Sequence, residues 1–112
     1  MMKVALITGA LGQDGVLLAE LLKNRKYRVV GFIRRSPESY AMAGSSMESF
    51  SSFFEGDVLS YEDVEAALDE YRPDEIYHLA AQTHVLESFR NPAYTLQVNV
   101  IGTENVLRAV RT

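Results

Sequence analysis

Apolar residues in this chain gather in short dense runs, separated by stretches where they recur every three or four positions. Lys3 to Thr8 (KVALIT) is the first dense run, and it predicts a buried strand. Gln13 to Lys26 follows, with Val16, Leu17, Leu18, Leu21 and Leu22 making a broad apolar face. That spacing predicts a helix, and Lys23, Arg25 and Lys26 suit the negative end of its dipole. Arg28 to Ile33 (RVVGFI) predicts a second strand. Ser36 to Ser49 is rich in Ser, Ala, Met and Glu and has no clear period. We expect a loop there, with room for a short helical piece. Ser51 to Glu55 (SSFFE) predicts a short third strand, ended by Gly56-Asp57.

Ser60 opens S-Y-E-D, the capping-box signature with Asp63 as its acidic member. Val64, Ala67, Leu68 and Tyr71 continue that helix and Pro73 ends it. Glu75 to Ala80 (EIYHLA) predicts a fourth strand. Asn91 to Arg111 has helical spacing through Leu96, Val100, Val106, Leu107 and Val110, weakened in its middle by Gly102. Strands alternating with helices imply right-handed crossovers and a parallel sheet. The expected fold is α/β, a Rossmann-like doubly wound sheet of about four strands in one domain over residues 1–112.

Composition narrows the chemistry. A hydrophobic content of 47% fills a small core in 112 residues. A net charge of -4 argues against a nucleic-acid surface, although Arg34-Arg35 makes a local basic doublet. With no cysteine, the chain has no disulfide, thiolate metal site or cysteine nucleophile, which fits the cytoplasm; no metal site is expected. No apolar run approaches the roughly 20 residues that span a bilayer. The opening MMKVALITGALG is broken by Thr8 and Gly9 and reads as a strand rather than a signal peptide.

VALITGALGQDG carries the candidate chemistry. Gly9, Gly12 and Gly15 fall between a predicted strand and a predicted helix, the context of a dinucleotide-binding turn. Gly9 would turn the chain out of the strand. Gly12 would admit the cofactor phosphates, and Gly15 would let the helix pack on the sheet. The bland alternative is a turn with close helix packing, since the spacing is GxxGxxG rather than GxGxxG. Arg34, Arg35 and Ser36 follow the second strand, where an acidic residue would select NAD. Two guanidinium groups and a hydroxyl suit the 2′-phosphate of NADP instead. Their alternative is two solvated arginines at a strand end. Asp57 has two readings: it accepts from an adenine amino group while Val58 packs on the ring, or it bonds its own turn. His78 reads as a packed histidine and His84 as solvated or structural.

Several segments together resemble the extended short-chain dehydrogenase/reductases, and among them the GDP-mannose 4,6-dehydratases. They are TGALGQDG, RRS after the second strand, GDV, IYHLAAQTHV, SFRNP and NVIGTENVLRAV. The resemblance implies that Gly9, Gly12, Gln13, Asp14 and Gly15 lie along the pyrophosphate, and that Arg34, Arg35 and Ser36 hold the 2′-phosphate. It places Asp57 and Val58 at the adenine. Leu79, Ala80, Ala81, Gln82 and Thr83 pass beneath the nicotinamide ribose, and Tyr94 also touches the cofactor. Asn99 falls where the family has a helix asparagine. The implied strand order is 3-2-1-4, with the cofactor at the switch point between the first and fourth strands.

Family chemistry uses a Tyr-x-x-x-Lys pair as its base. Tyr27, Tyr40, Tyr61, Tyr71, Tyr77 and Tyr94 are followed at that spacing by Gly31, Gly44, Glu65, Glu75, Ala81 and Val98. No catalytic residue is therefore assigned. The expectation is an N-terminal portion of an NADP-binding domain, without the catalytic and substrate part. It would be unable by itself to convert GDP-mannose to GDP-4-keto-6-deoxymannose, and a GDP-sugar partner belongs to the longer enzyme. Two further readings stand beside it. One is a stand-alone NADP(H)-binding module that docks a partner; the other is a portion of another sugar-nucleotide epimerase or dehydratase. The open edge of the fourth strand predicts homo-oligomerisation.

Overall fold

A computed structural model describes residues 2–34, 48–79 and 101–111. The elements in chain order are β1 (Val4–Thr8), α1 (Gln13–Asn24), β2 (Arg28–Ile33), β3 (Ser52–Glu55), α2 (Tyr61–Tyr71), β4 (Glu75–His78) and α3 (Gly102–Arg111). The described strands form one parallel sheet in the order β3-β2-β1-β4, the order expected from the sequence. Its register aligns Thr8 with Phe32 on one side and with His78 on the other.

Alternation along the strands splits the core between two faces. Ala5, Ile7, Val29 and Ile33 turn to the face covered by Ala19 and Leu22 of α1. Leu6, Val30 and Phe32 turn to the opposite face, with Val64 and Ala67 of α2 and Val106 and Ala109 of α3. The result is a sheet with helices on both sides, which leaves the strand ends as the place where loops can build a site.

Element ends differ from expectation for local reasons. α1 stops at Asn24, two residues before the predicted end. Lys26 takes the left-handed conformation, φ 66°. Its N–H donates to the Lys23 carbonyl at 2.9 Å, and the Tyr27 N–H donates to the Leu22 carbonyl at 3.0 Å. That pair of bonds is a Schellman cap, made here on a lysine where glycine is usual. The capping box of α2 is only half formed. Ser60 Oγ accepts the Asp63 N–H at 3.3 Å, but the Asp63 carboxylate takes the Asp57 N–H at 3.0 Å instead of reaching back to Ser60. The Ser60 N–H is already donated to the Asp57 carbonyl.

The predicted helix over 91–111 is described only from Ile101 onward. Gly102 is the first residue of α3. It is buried against the turn after β3, and a Cβ on it would sit 2.9 Å from Val58 Cγ2. Asn105, also buried, donates its side-chain amide to the Val58 carbonyl at 2.8 Å. The helix approaches Val58 closely because its contact residues are a glycine and a satisfied amide.

Candidate functional site

Because the strands are parallel, every C-terminal end meets the same edge of the sheet. Along that edge, in spatial order, lie Asp57 after β3, Arg34 after β2, the glycine turn after β1 and Leu79 after β4. Neighbouring strands are about 4.8 Å apart, so these positions span about 14 Å. The connections run from β1 outward to β2 and β3, then back to β4 on the other side of β1. The glycine turn thus sits at the topological switch point, where open α/β sheets bind ligands.

The turn is built from backbone requirements. Gly9 has φ 62°, a conformation that side chains disfavour, and its carbonyl accepts the Gly12 N–H at 3.1 Å. Gly15 is buried, and a Cβ there would lie 2.5 Å from the Ala10 carbonyl oxygen and 2.7 Å from that of Gly9. Gly12 is the N-cap of α1 and supplies no side-chain cap. The first N–H groups of a helix have no carbonyl partner within it, so this end suits an anion. Gln13 and Asp14 are exposed in that first turn.

Arg34 is exposed at the end of β2. Asp57 Oδ1 accepts the Leu59 N–H at 2.9 Å, which is the local turn bond weighed for it above. Val58 is 7% exposed and belongs to the core beneath α3. Leu79 is 38% exposed, and its N–H is held by both the Thr8 carbonyl and the Thr8 hydroxyl. Arg35, Ser36, Ala80, Ala81, Gln82, Thr83 and Tyr94 lie outside the described residues, as do Asn99 and His84.

Three polar residues at this edge went unremarked as a set. Thr8 is 1% exposed and ends β1; its hydroxyl lies 2.7 Å from His78 Nδ1. His78 Nε2 lies 3.1 Å from the Thr103 hydroxyl of α3. Burial pushes the His78 imidazole below its ordinary pKa of 6.5. The ring is packed and hydrogen-bonded at both nitrogens. The sequence signal was the alternation in EIYHLA, which pointed to packing; its partners are 70 and 25 residues away.

A family model described as GDP-mannose 4,6 dehydratase matches residues 6–112. The chain belongs to the GDP-mannose 4,6-dehydratase family. It is 41% identical to the GDP-mannose 4,6-dehydratase of Vibrio cholerae serotype O1, an alignment covering 97% of this chain and 31% of that protein. It is 42% identical to GDP-mannose 4,6 dehydratase 2 of Caenorhabditis elegans, covering 96% of this chain and 31% of that one. Among solved structures, the Thermus thermophilus UDP-glucose 4-epimerase complex with NAD superposes at TM-score 0.82 and 30% identity, over 96% of this chain and 33% of the epimerase. The L-threonine dehydrogenase of Clostridium difficile does so at TM-score 0.82 and 30% identity, over 98% and 33%. The chain thus spans about a third of the length of these relatives. What the described residues form is the family's N-terminal dinucleotide-binding module. No helix of the described residues is long and apolar enough to cross a membrane.

Proposed function

We propose that this chain binds NADP as the cofactor-holding part of a GDP-mannose 4,6-dehydratase. Gly12 is the observation that carries the reading. Its φ of -72° and ψ of 167° are extended backbone that any residue adopts, and a Cβ would make one tight contact, 3.3 Å from the Gly9 carbonyl oxygen, which a shift of a few tenths of an ångström would relieve. Ser, Asp or Asn at this N-cap would stabilise α1 by roughly a few tenths of a kcal/mol over glycine. The chain forgoes that cap and keeps an exposed, bare helix start at the switch point. A phosphate that must approach the backbone accounts for the choice.

The remaining assignments follow the order of the strand ends. Gly9, Gly12, Gln13, Asp14 and Gly15 line the pyrophosphate. Arg34, Arg35 and Ser36 pair with the 2′-phosphate, and Asp57 and Val58 flank the adenine. Leu79, Ala80, Ala81, Gln82 and Thr83 run beneath the nicotinamide ribose, with Tyr94 beside the cofactor. Bound there, NADP accepts and returns a hydride. In the family's reaction GDP-mannose becomes GDP-4-keto-6-deoxymannose. The reading gives these 112 residues the cofactor and not the proton transfer, since the sequence has no Tyr-x-x-x-Lys. A cytoplasmic setting is part of it, in keeping with the absence of cysteine.

Calorimetric titration with NADPH and NADH tests the proposal. We expect NADPH to bind more tightly, with the preference lost in an Arg34→Ala, Arg35→Ala double variant. Equal affinity for both cofactors in the parent chain would overturn the 2′-phosphate assignment. Binding of neither would overturn the cofactor reading.

A further inference from the structure

His78 stands in the middle of a hydrogen-bonded chain that joins three elements. Nδ1 is 2.7 Å from the hydroxyl of Thr8, the last residue of β1 and the one before Gly9. Nε2 is 3.1 Å from the hydroxyl of Thr103, in the first turn of α3. The same Thr8 hydroxyl accepts the Leu79 N–H at 3.0 Å. One buried hydroxyl therefore touches both the imidazole and the first peptide beyond β4. The helix side of this chain is fixed from a second direction. Gly102 lies against Val58, and Asn105 donates to the Val58 carbonyl at 2.8 Å, so Thr103 is a steady anchor for the ring.

We propose that His78 is a positioning residue: through Thr103 on one side and Thr8 on the other, it couples α3 to the Leu79 peptide and sets that peptide against the glycine turn. A neutral imidazole has one donor and one acceptor nitrogen. Each threonine hydroxyl can donate or accept, so the ring is anchored at both nitrogens in either tautomer, with the two hydroxyls reversing roles. With Thr103 unable to bond, the ring keeps one of its two anchors, and its hold on the Thr8 hydroxyl that accepts the Leu79 N–H loosens. A histidine that only fills space would tolerate loss of the Thr103 hydroxyl. The consequence for cofactor affinity rests on the NADP reading; the coupling itself does not.

The test compares the parent chain with three variants. Thr103→Val removes the hydroxyl at nearly constant volume, and Thr103→Ser keeps it. Val106→Ala loosens α3 through the core without touching the hydrogen-bonded chain. In Thr103→Val we expect the Leu79 amide to exchange about five- to tenfold faster relative to Leu6 in the centre of β1. The His78 Nε2 resonance should shift as that nitrogen loses its hydroxyl partner. Thr103→Ser should retain parent values, and Val106→Ala should lower global stability without the local change. NADPH Kd should rise about three- to tenfold in Thr103→Val and not in Thr103→Ser. An unchanged Leu79-to-Leu6 ratio in Thr103→Val, or an unshifted Nε2 resonance, would overturn the proposal. Failure of the parent to bind either dinucleotide, with exchange and ring shifts as expected, would overturn the NADP reading and leave the coupling standing.

Discussion

Gly12 and Gly15 are three residues apart and do different work. A Cβ at Gly15 would meet two backbone carbonyls at 2.5 and 2.7 Å, and neither can move without opening the turn. A Cβ at Gly12 would meet one, at 3.3 Å. We expect Gly15→Ala to cost about 2–4 kcal/mol, read as a drop in the urea midpoint. Gly12→Ala, with one looser contact, should cost less, about 1 kcal/mol or below, yet weaken NADPH binding severalfold. A Gly12→Ala chain that binds as the parent does would remove the reason given for that glycine. The spacing of these glycines was legible in the sequence because each follows a strand or opens a helix. The role of Gly102 was not, because its need arises from Val58, 44 positions earlier, and no local pattern encodes that approach.

At the scale of elements, the start of β4 is tied down by a carboxylate. Glu75 accepts from Tyr27 at 2.9 Å and from Tyr77 at 2.6 Å, and Lys3 lies 3.9 Å away. The two phenol donors hold the Glu75 carboxyl below its ordinary 4.5. The same carboxylate raises both phenols above 10.0. A depressed carboxyl pKa contributes stability that is complete above pH 4.5 and is lost as pH falls through the folded value. The raised phenols contribute stability that is complete below pH 10 and is lost as pH rises through theirs. His78 acts on a separate part of the acid limb. Its depressed imidazole favours the unfolded chain as pH falls below 6.5. Denaturant midpoints of the parent and Glu75→Gln are therefore expected to differ at neutral pH and to converge below pH 4.5. A gap that persists unchanged into that range would show that the clamp does not depend on the charge. Within the described residues, strand and helix ends were legible from apolar periodicity to within about two residues, the start of the last predicted helix lying outside them. The Tyr27–Glu75 bond was not, since its partners are 48 residues apart and meet only once the strand order is set.

At the scale of the molecule, two of the apolar features that the described residues present to solvent bear on association. Among the described residues β4 is paired only with β1, so its other side is a sheet edge. On α3, Leu107 is 60% and Val110 55% exposed. The sequence anticipated the edge, because EIYHLA is apolar for one. Which of the two features drives association depends on geometry that periodicity does not carry. We expect the 112-residue chain to self-associate as concentration rises, measured by light scattering. Leu107→Glu with Val110→Glu separates the two routes, since both positions are exposed and the change costs the monomer little. Association that the double substitution abolishes runs through α3, and association that survives it runs elsewhere, with the sheet edge as the expected route. A parent chain that stays monomeric at high concentration counts against both. That result would mean the apolar edge and helix face are too small, or too well interrupted by Glu75, Glu104 and Arg111, to bind a second copy.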